Sequence, residues 1–188
     1  MPSNIMTKKL FADALKKLMG TKSFAKIGVG DIAKACGMNR NSFYYHFKDK
    51  YELLNWIFFT EITEHLNREE ALELSSWDIL EYLLRFFARE KDFYANAMSY
   101  EGQDSLIQYF TDLLGTLFEA RTRDLFQDGL DEEFREFYMD FFLDAVVRAI
   151  VRWVRDGAKY PPEEFMGMIR KAATGTALRI LEYDGGTT

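Results

Sequence analysis

The chain has 188 residues, 48% apolar and 16% aromatic, with a formal net charge of −6. So much apolar side chain excludes a disordered polypeptide, and the length allows one compact domain or two small ones. The apolar runs are short and broken by charge, which excludes a membrane-spanning helix. The start "MPSNIMTKKL" has no apolar leader and Cys36 stands alone, so a cytoplasmic protein without an internal disulfide is expected.

In chain order, "TKKLFADALKKLM" places Leu10, Phe11, Ala14, Leu15 and Leu18 on one helical stripe, and Gly20 ends the helix. "KSFAKIG" is a connector whose Phe24 plugs the core beneath it. "VGDIAKAC" predicts a short helix with Val29, Ile32, Ala33 and Cys36 inward. Gly37 makes the turn, and Asn39 caps a second short helix through its side-chain oxygen. Two short helices joined by a tight glycine turn follow helix-turn-helix logic.

Asp49 caps a long helix over "KYELLNWIFFTEITEHLNREEA", with Leu53, Leu54, Ile57, Phe58 and Ile62 inward. "SSWDILEYLLRFFAREKDFYANAMSY" reads as a Ser-capped helix and a shorter one. "DSLIQYFTDLLGTLFEARTRDLFQD" is amphipathic, and Gly129 breaks it from "EEFREFYMDFFLDAVVRAIVRWVRDG". "PPEEFMGMIRKAATGTALRILEY" follows with proline in its first turn, and the tail "DGGTT" is expected to fray. No segment alternates as a strand would, so the expected fold is all-α: a three-helix head and a helical body, about nine helices in all. The boundary is expected near residue 50, giving a head over 1–50 and a body over 51–184.

Charge divides the chain in the same place. Residues 1–50 hold ten Lys/Arg against three acids, a net of +7, while the rest holds 14 against 27, a net of −13. A basic head on an acidic body suits nucleic-acid binding.

The segment "VGDIAKACGMNRNSFYYHFKDKYELL" resembles the DNA-binding head of TetR-type transcriptional regulators. The resemblance rests on Ile32-Ala33, Cys36-Gly37, Asn39, the run Phe43-Tyr44-Tyr45-His46-Phe47, Lys50 and Leu53-Leu54. The later "RWVRDGAKYPPEEF" is similar to a branch that contains regulators of dihydroxyacetone-kinase operons. Where the family often carries Thr or Ser, Val and a basic residue, this chain has Gly28, Val29 and Gly30, which weakens the expected anchoring of the first helix on DNA and leaves its cap open; either Lys22 or Lys26 compensates or operator affinity is modest.

Phe43 and Phe47, four apart, share the inward face of the recognition helix. Arg40, Asn41 and Tyr45 lie toward the other side, where Arg40 is suited to a guanine edge or a phosphate and Asn41 to adenine. The resemblance implies that Tyr44 and His46 reach phosphates, Tyr45 bases or methyl groups, and Lys50 the DNA backbone. Ser42 and Lys48 complete the expected DNA-binding set.

His46 and His65 have no zinc-type spacing, and no nucleophile or acid pair accompanies them, so no metal, cofactor or catalytic site is expected. In the body, Trp56, Phe59, Phe86, Phe87, Tyr94, Phe110 and Phe118 are candidates to line an effector pocket, with ordinary core packing as the competing reading. The helix over 132–156 is apolar on more than one stripe. Phe134, Phe141, Phe142, Ala145, Ala149 and Trp153, with Ala173 and Ala177 of the last helix, are the expected dimer interface. Arg148, Arg152 and Arg155 on the same helix suit either an anion or ion pairs with neighbouring helices.

The expected function is sequence-specific regulation of transcription by a homodimer on a palindromic double-stranded DNA operator, with repression as the default and a small-molecule effector bound to the body. An activator controlled by a protein partner is the first alternative. A helical enzyme or ligand-binding module with a vestigial head is the second.

Overall fold

Capping chemistry sets most of the element boundaries. A computed structural model of the protein describes residues 4–65, 74–100, 105–122 and 132–184, and the side chains of these except at 64–65, 117–122, 132, 134–135 and 174–184. Nine α-helices, a 3-10 turn over Phe24–Lys26 and no strand make up the described residues. The helices are α1 (Asn4–Met19), α2 (Val29–Ala35), α3 (Arg40–His46), α4 (Lys50–His65), α5 (Ser76–Arg89), α6 (Lys91–Ala97), α7 (Leu106–Thr122), α8 (Glu132–Arg155) and α9 (Pro162–Asp184). The expected Gly129 break, the continuation of α4 toward Ala71, the tail after Asp184 and the side chain of His65 lie outside the described residues.

Local signals are met where they were read. The Asn39 Oδ1 accepts the Ser42 N–H at 2.8 Å, and Asp49 Oδ1 accepts the N–H groups of Tyr51 and Glu52, each at 2.9 Å. Ser75 and Asp78 exchange bonds across the first turn of α5, and the Ser75 hydroxyl and N–H hold the Asp78 carboxyl below its ordinary range. Gly37 has φ +71°, the left-handed region open to glycine, and the chain turns there through Met38 N–H to Ala33 O at 2.8 Å and Gly37 N–H to Lys34 O at 3.2 Å. The open question at α2 has a different answer from a Ser or Thr cap. The Asp31 carboxylate reaches back to the Gly28 N–H at 3.0 Å, so one half of a capping box serves alone. α1 starts at Asn4, three residues before the expected Thr7, which leaves Ile5 and Met6 exposed on its first turn.

One hydrophobic core runs through head and body. In the head, Phe11 meets Phe43 edge-on at 5.2 Å, and Phe43 meets Phe47 at 5.7 Å. α4 carries the core onward. Leu53 and Leu54 close the head, and Phe58 is the hub of the body, with Phe86, Phe87, Tyr94, Tyr109 and Phe110 all within 6.4 Å between ring centres. α8 packs on α6 and α7, and α9 packs on α5.

A polar cluster fastens α1 to this body. Lys16 Nζ donates to Glu61 Oε1 at 2.6 Å and lies 3.4 Å from Glu90 Oε2, while the Tyr94 hydroxyl donates to Glu61 Oε2 at 2.9 Å. Burial opposes the charge on Lys16, but Glu61 and Glu90 outweigh it and its pKa rises. Burial, then the Glu61 carboxylate, pushes the Tyr94 phenol far above the tyrosine range.

Phe58→Ala removes the shared partner of five rings and should lower stability by about 3–5 kcal/mol, read as a lower urea midpoint with an unchanged slope. Tyr94 stays neutral in the folded chain while the unfolded chain ionises above about pH 10, so its contribution is complete below that pH and lost above it. The urea midpoint should therefore fall between pH 9 and 11 (roughly the tyrosine range), and Tyr94→Phe should flatten the fall.

Candidate nucleic-acid interface

α3 divides into a buried and an open side. Phe43 is fully buried and Phe47 nearly so, whereas Tyr45 is 82% exposed and Tyr44 56%. Arg40 and Asn41, in the first turn, are exposed, as is Lys48 just past the C-terminus. A seven-residue helix is too short to hold itself, so its buried phenylalanines fix the orientation of the open side. This arrangement brings Arg40, Asn41, Tyr44, Tyr45 and Lys48 to the surface of one short helix and its end.

The other three candidates sit differently. The Ser42 N–H and hydroxyl both donate to Asn39 Oδ1, the hydroxyl at 3.1 Å, so Ser42 serves the cap. His46 is half-buried, with Nδ1 2.9 Å from Asn4 Oδ1 and the Tyr45 ring edge-on at 5.0 Å, so it ties the end of α3 to the start of α1. Lys50 turns inward. Its Nζ donates to the carbonyls of Phe24 at 2.8 Å, Ala25 at 3.2 Å and Ile27 at 2.8 Å, and it lies over the Phe24 ring at 4.6 Å. Burial pushes its ammonium below the ordinary lysine range, while the carbonyls compensate the charge with all three of its donors. Lys50 is thus placed to hold the connector between α1 and α2.

Asn96 of α6 grips the same connector and carries no mark in the sequence. Its Oδ1 accepts the Phe24 N–H at 2.8 Å, and its Nδ2 donates to Met19 O at 2.9 Å and Lys22 O at 2.8 Å. Arg155 of α8 in turn donates through Nε to Met98 O, just past α6, at 2.9 Å. The head is therefore joined to the body by side chains that bind exposed backbone.

The expected pocket residues do not form one group. Phe86, Phe87, Tyr94 and Phe110 pack on one another and on Phe58 as core. Trp56 lies 5.9 Å from Phe47 in the head, Phe59 is 46% exposed, and the Phe118 side chain lies outside those described. An open cleft of about 500 Å³ is lined instead by Tyr82, Arg85, Ala88, Arg89 and Pro162.

Of the expected dimer residues, Trp153 goes elsewhere: it is buried within the chain, stacked on Phe165 at 4.9 Å, with Nε1 donating to Tyr160 O at 3.0 Å. Phe141 is 62% exposed and stacks on the equally exposed Phe137 at 6.2 Å, and Phe142 stacks on Tyr138. Ala145 is exposed, Ala149 and Ala173 are half-buried, and Phe134 and Ala177 lie outside the described side chains.

Residues 12–57 match the profile of the bacterial regulatory proteins of the tetR family, and residues 75–175 match that of a transcriptional regulator C-terminal region of the same family. The chain belongs to the TetR family of transcriptional regulators. It is a DNA-binding regulator of transcription.

Among curated proteins it is 34% identical over 95 residues to the HTH-type dhaKLM operon transcriptional activator DhaS of Lactococcus lactis, a match that spans about half of each chain. Solved structures share the fold over nearly the whole length. The dihydroxyacetone kinase operon activator DhaS aligns with a TM-score of 0.62 and 21% identity over 92% of this chain and 96% of its own. A TetR transcriptional regulator from Streptococcus agalactiae aligns at 0.67 and 19% over 88% and 92%. FadR of Thermus thermophilus, solved with lauroyl-CoA, aligns at 0.53 and 16% over 87% and 91%.

Because Lys50 Nζ holds three carbonyls, Lys50→Met should cost about 1.5–3 kcal/mol of stability, seen as a lower urea midpoint. The slope of log affinity against log salt on any duplex DNA should change by much less than the ~0.9 lost with a phosphate contact.

Proposed function

We propose that this TetR-family chain works as a homodimer on a two-fold symmetric operator, with residues 1–50 reading DNA and residues 51–184 dimerising and sensing an effector. The observation that carries the reading is α3 itself: its inner face is closed on Phe43 and Phe47, and its outer face presents Tyr45, Tyr44, Arg40 and Asn41 to solvent. A helix held this way, in a head with a net charge of +7, suits entry into the major groove with lysines on the flanking phosphates. Arg40 and Asn41 would read base edges, Tyr44, Tyr45 and Lys48 would meet methyl groups or backbone, Ser42 and His46 would hold the helix in place, and Lys50 would hold the connector between α1 and α2. Two heads about 34–36 Å apart would read half-sites one helical turn apart.

The outward face of α8 supports the dimer. Phe137 and Phe141 are a stacked, exposed aromatic pair next to Ala145, and an apolar face of that kind is covered in a stable assembly. The cleft beside Tyr82 and Arg85 is an opening that would admit a small effector. The chain has no catalysis of its own in this reading, and no described helix is long and apolar enough to cross a membrane.

Repression is the default outcome. Activation is the second reading, favoured by the 34% identity to an operon activator. Transcription in vitro from a promoter carrying the selected site separates the two by the sign of the response.

The reading is tested by selecting duplexes with the purified protein and measuring affinity by anisotropy and mass by sedimentation. Wild type should be a dimer that prefers a palindrome. Phe141→Glu should sediment as a monomer and bind that palindrome about 100-fold more weakly, while single half-sites change little. A wild-type monomer, or a selected pool without symmetry, would overturn it.

A further inference from the structure

Gly30 sits in the first turn of α2, facing Arg40 across the Gly37 turn. A Cβ on Gly30 would lie 2.8 Å from Arg40 Nη2, 2.9 Å from Nε and 3.2 Å from Cζ. The first two distances are closer than real Cβ atoms come, so a side chain at position 30 would push the flexible guanidinium aside. Gly28, two residues earlier, has room: its nearest neighbour would be Asp31 Oδ2 at 3.7 Å. The backbone at position 30 is helical and does not call for glycine, and alanine would favour the helix. What glycine preserves there is this placement of the Arg40 guanidinium.

The surroundings suit a parked guanidinium. The Gly28 N–H, and then the cations Lys22, Lys34 and Arg40, hold the Asp31 carboxyl below its ordinary range, so a fixed negative charge accompanies Arg40 beside these lysines. An exposed arginine samples many rotamers and loses part of that freedom on binding, and the open space at Gly30 is where the planar fork of Arg40 rests here.

We infer that Gly30 is a specificity-determining residue of this regulator, vacating the volume from which Arg40 presents its guanidinium to a guanine edge in the major groove. The inference rests on the proposed role of α3 in reading DNA. The same fork would also fit two phosphate oxygens, and the two sources differ in what they do to sequence preference.

The experiment first selects the preferred duplex with the wild-type full-length protein at moderate salt. Affinities for that duplex, and for versions changed one base pair at a time, are then measured for wild type, Arg40→Ala, Gly30→Ala, the double variant and Gly28→Ser. Arg40→Ala should flatten the preference at one G·C pair per half-site, by roughly 10-fold. Gly30→Ala should flatten it at the same pair by several-fold and nowhere else. The double variant should be no weaker than Arg40→Ala alone, because both changes remove one interaction. Gly28→Ser, at the same helix start but clear of the guanidinium, should keep the wild-type preference.

Melting followed by circular dichroism should place Gly30→Ala no lower than wild type. An unaltered preference in Gly30→Ala overturns the inference, as does an equal loss on every duplex, additivity with Arg40→Ala, or a lower melting temperature. If wild type itself selects no preferred duplex, the reading of α3 has failed first, and the inference falls with it.

Discussion

The connector between α1 and α2 has only a single 3-10 turn of its own, and two side chains from elsewhere in the chain bind its backbone carbonyls and an amide. Lys50 takes the carbonyls of Phe24, Ala25 and Ile27, and Asn96 takes those of Met19 and Lys22 with the N–H of Phe24. The bonds to Phe24, Ile27 and Met19 are partly buried, where an unpaired backbone group would cost about 1–3 kcal/mol, whereas those to Ala25 and Lys22 are exposed and contribute less. One clamp comes from the start of α4 and the other from α6. The connector, and with it the base of the three-helix head, is therefore positioned by the body's first helix and by one of its inner ones.

The head needs this outside support because its own helices are short. α2 and α3 have seven residues each, too few to persist alone, and they depend on Phe11, Phe43 and Phe47 packing against one another. Ser42 and His46 serve the same end, one through the Asn39 cap and the other through Asn4 at the start of α1. Half of a conspicuous aromatic and polar run is thus spent on holding the other half at the surface. The exposed remainder is small, five side chains, and it owes its direction to the residues that face away from it.

How much of this the sequence disclosed follows the range of each interaction. Asn39, Asp49 and Ser75 act on backbone three residues or fewer ahead, and Gly37 acts on its own turn, so a window of a few residues contains the whole cause. The inward and outward sides of α3 follow from helical spacing alone. Lys50 looks like any lysine at a helix start, and only the fold brings it to Phe24. Asn96 is one polar residue in a short helix, more than seventy positions from its partners. Trp153 shares an apolar stripe with Ala145 and Ala149, yet α9 folds back so that Phe165 covers it, and periodicity cannot distinguish a partner in the same chain from one in another. Phe86, Phe87, Tyr94 and Phe110 are core rather than pocket for a related reason: composition marks rings that need covering, and other rings cover these four.

That dense aromatic core constrains how the body can signal to the head. Opening a cavity around Phe58 would forfeit several kcal/mol of packing, more than the about 1–3 kcal/mol usual for coupling between sites. The seam between α5 and α9 is cheaper to disturb. At the cleft Arg85 pairs across the seam with Glu163 and within its own helix with Glu81, all partly or well exposed, and exposed pairs of this kind contribute about 0–1 kcal/mol each. A ligand entering between Tyr82 and Pro162 would exchange weak ion pairs for its own contacts and bear directly on α5. α5 packs on α6, which carries Asn96, and ends beside Glu90 and the Lys16–Glu61–Tyr94 cluster on α1. A small shift of α5 would therefore reach the Asn96 clamp and the Lys16 cluster without breaking the core, and the separation of two heads in a dimer is the quantity that such a shift would change.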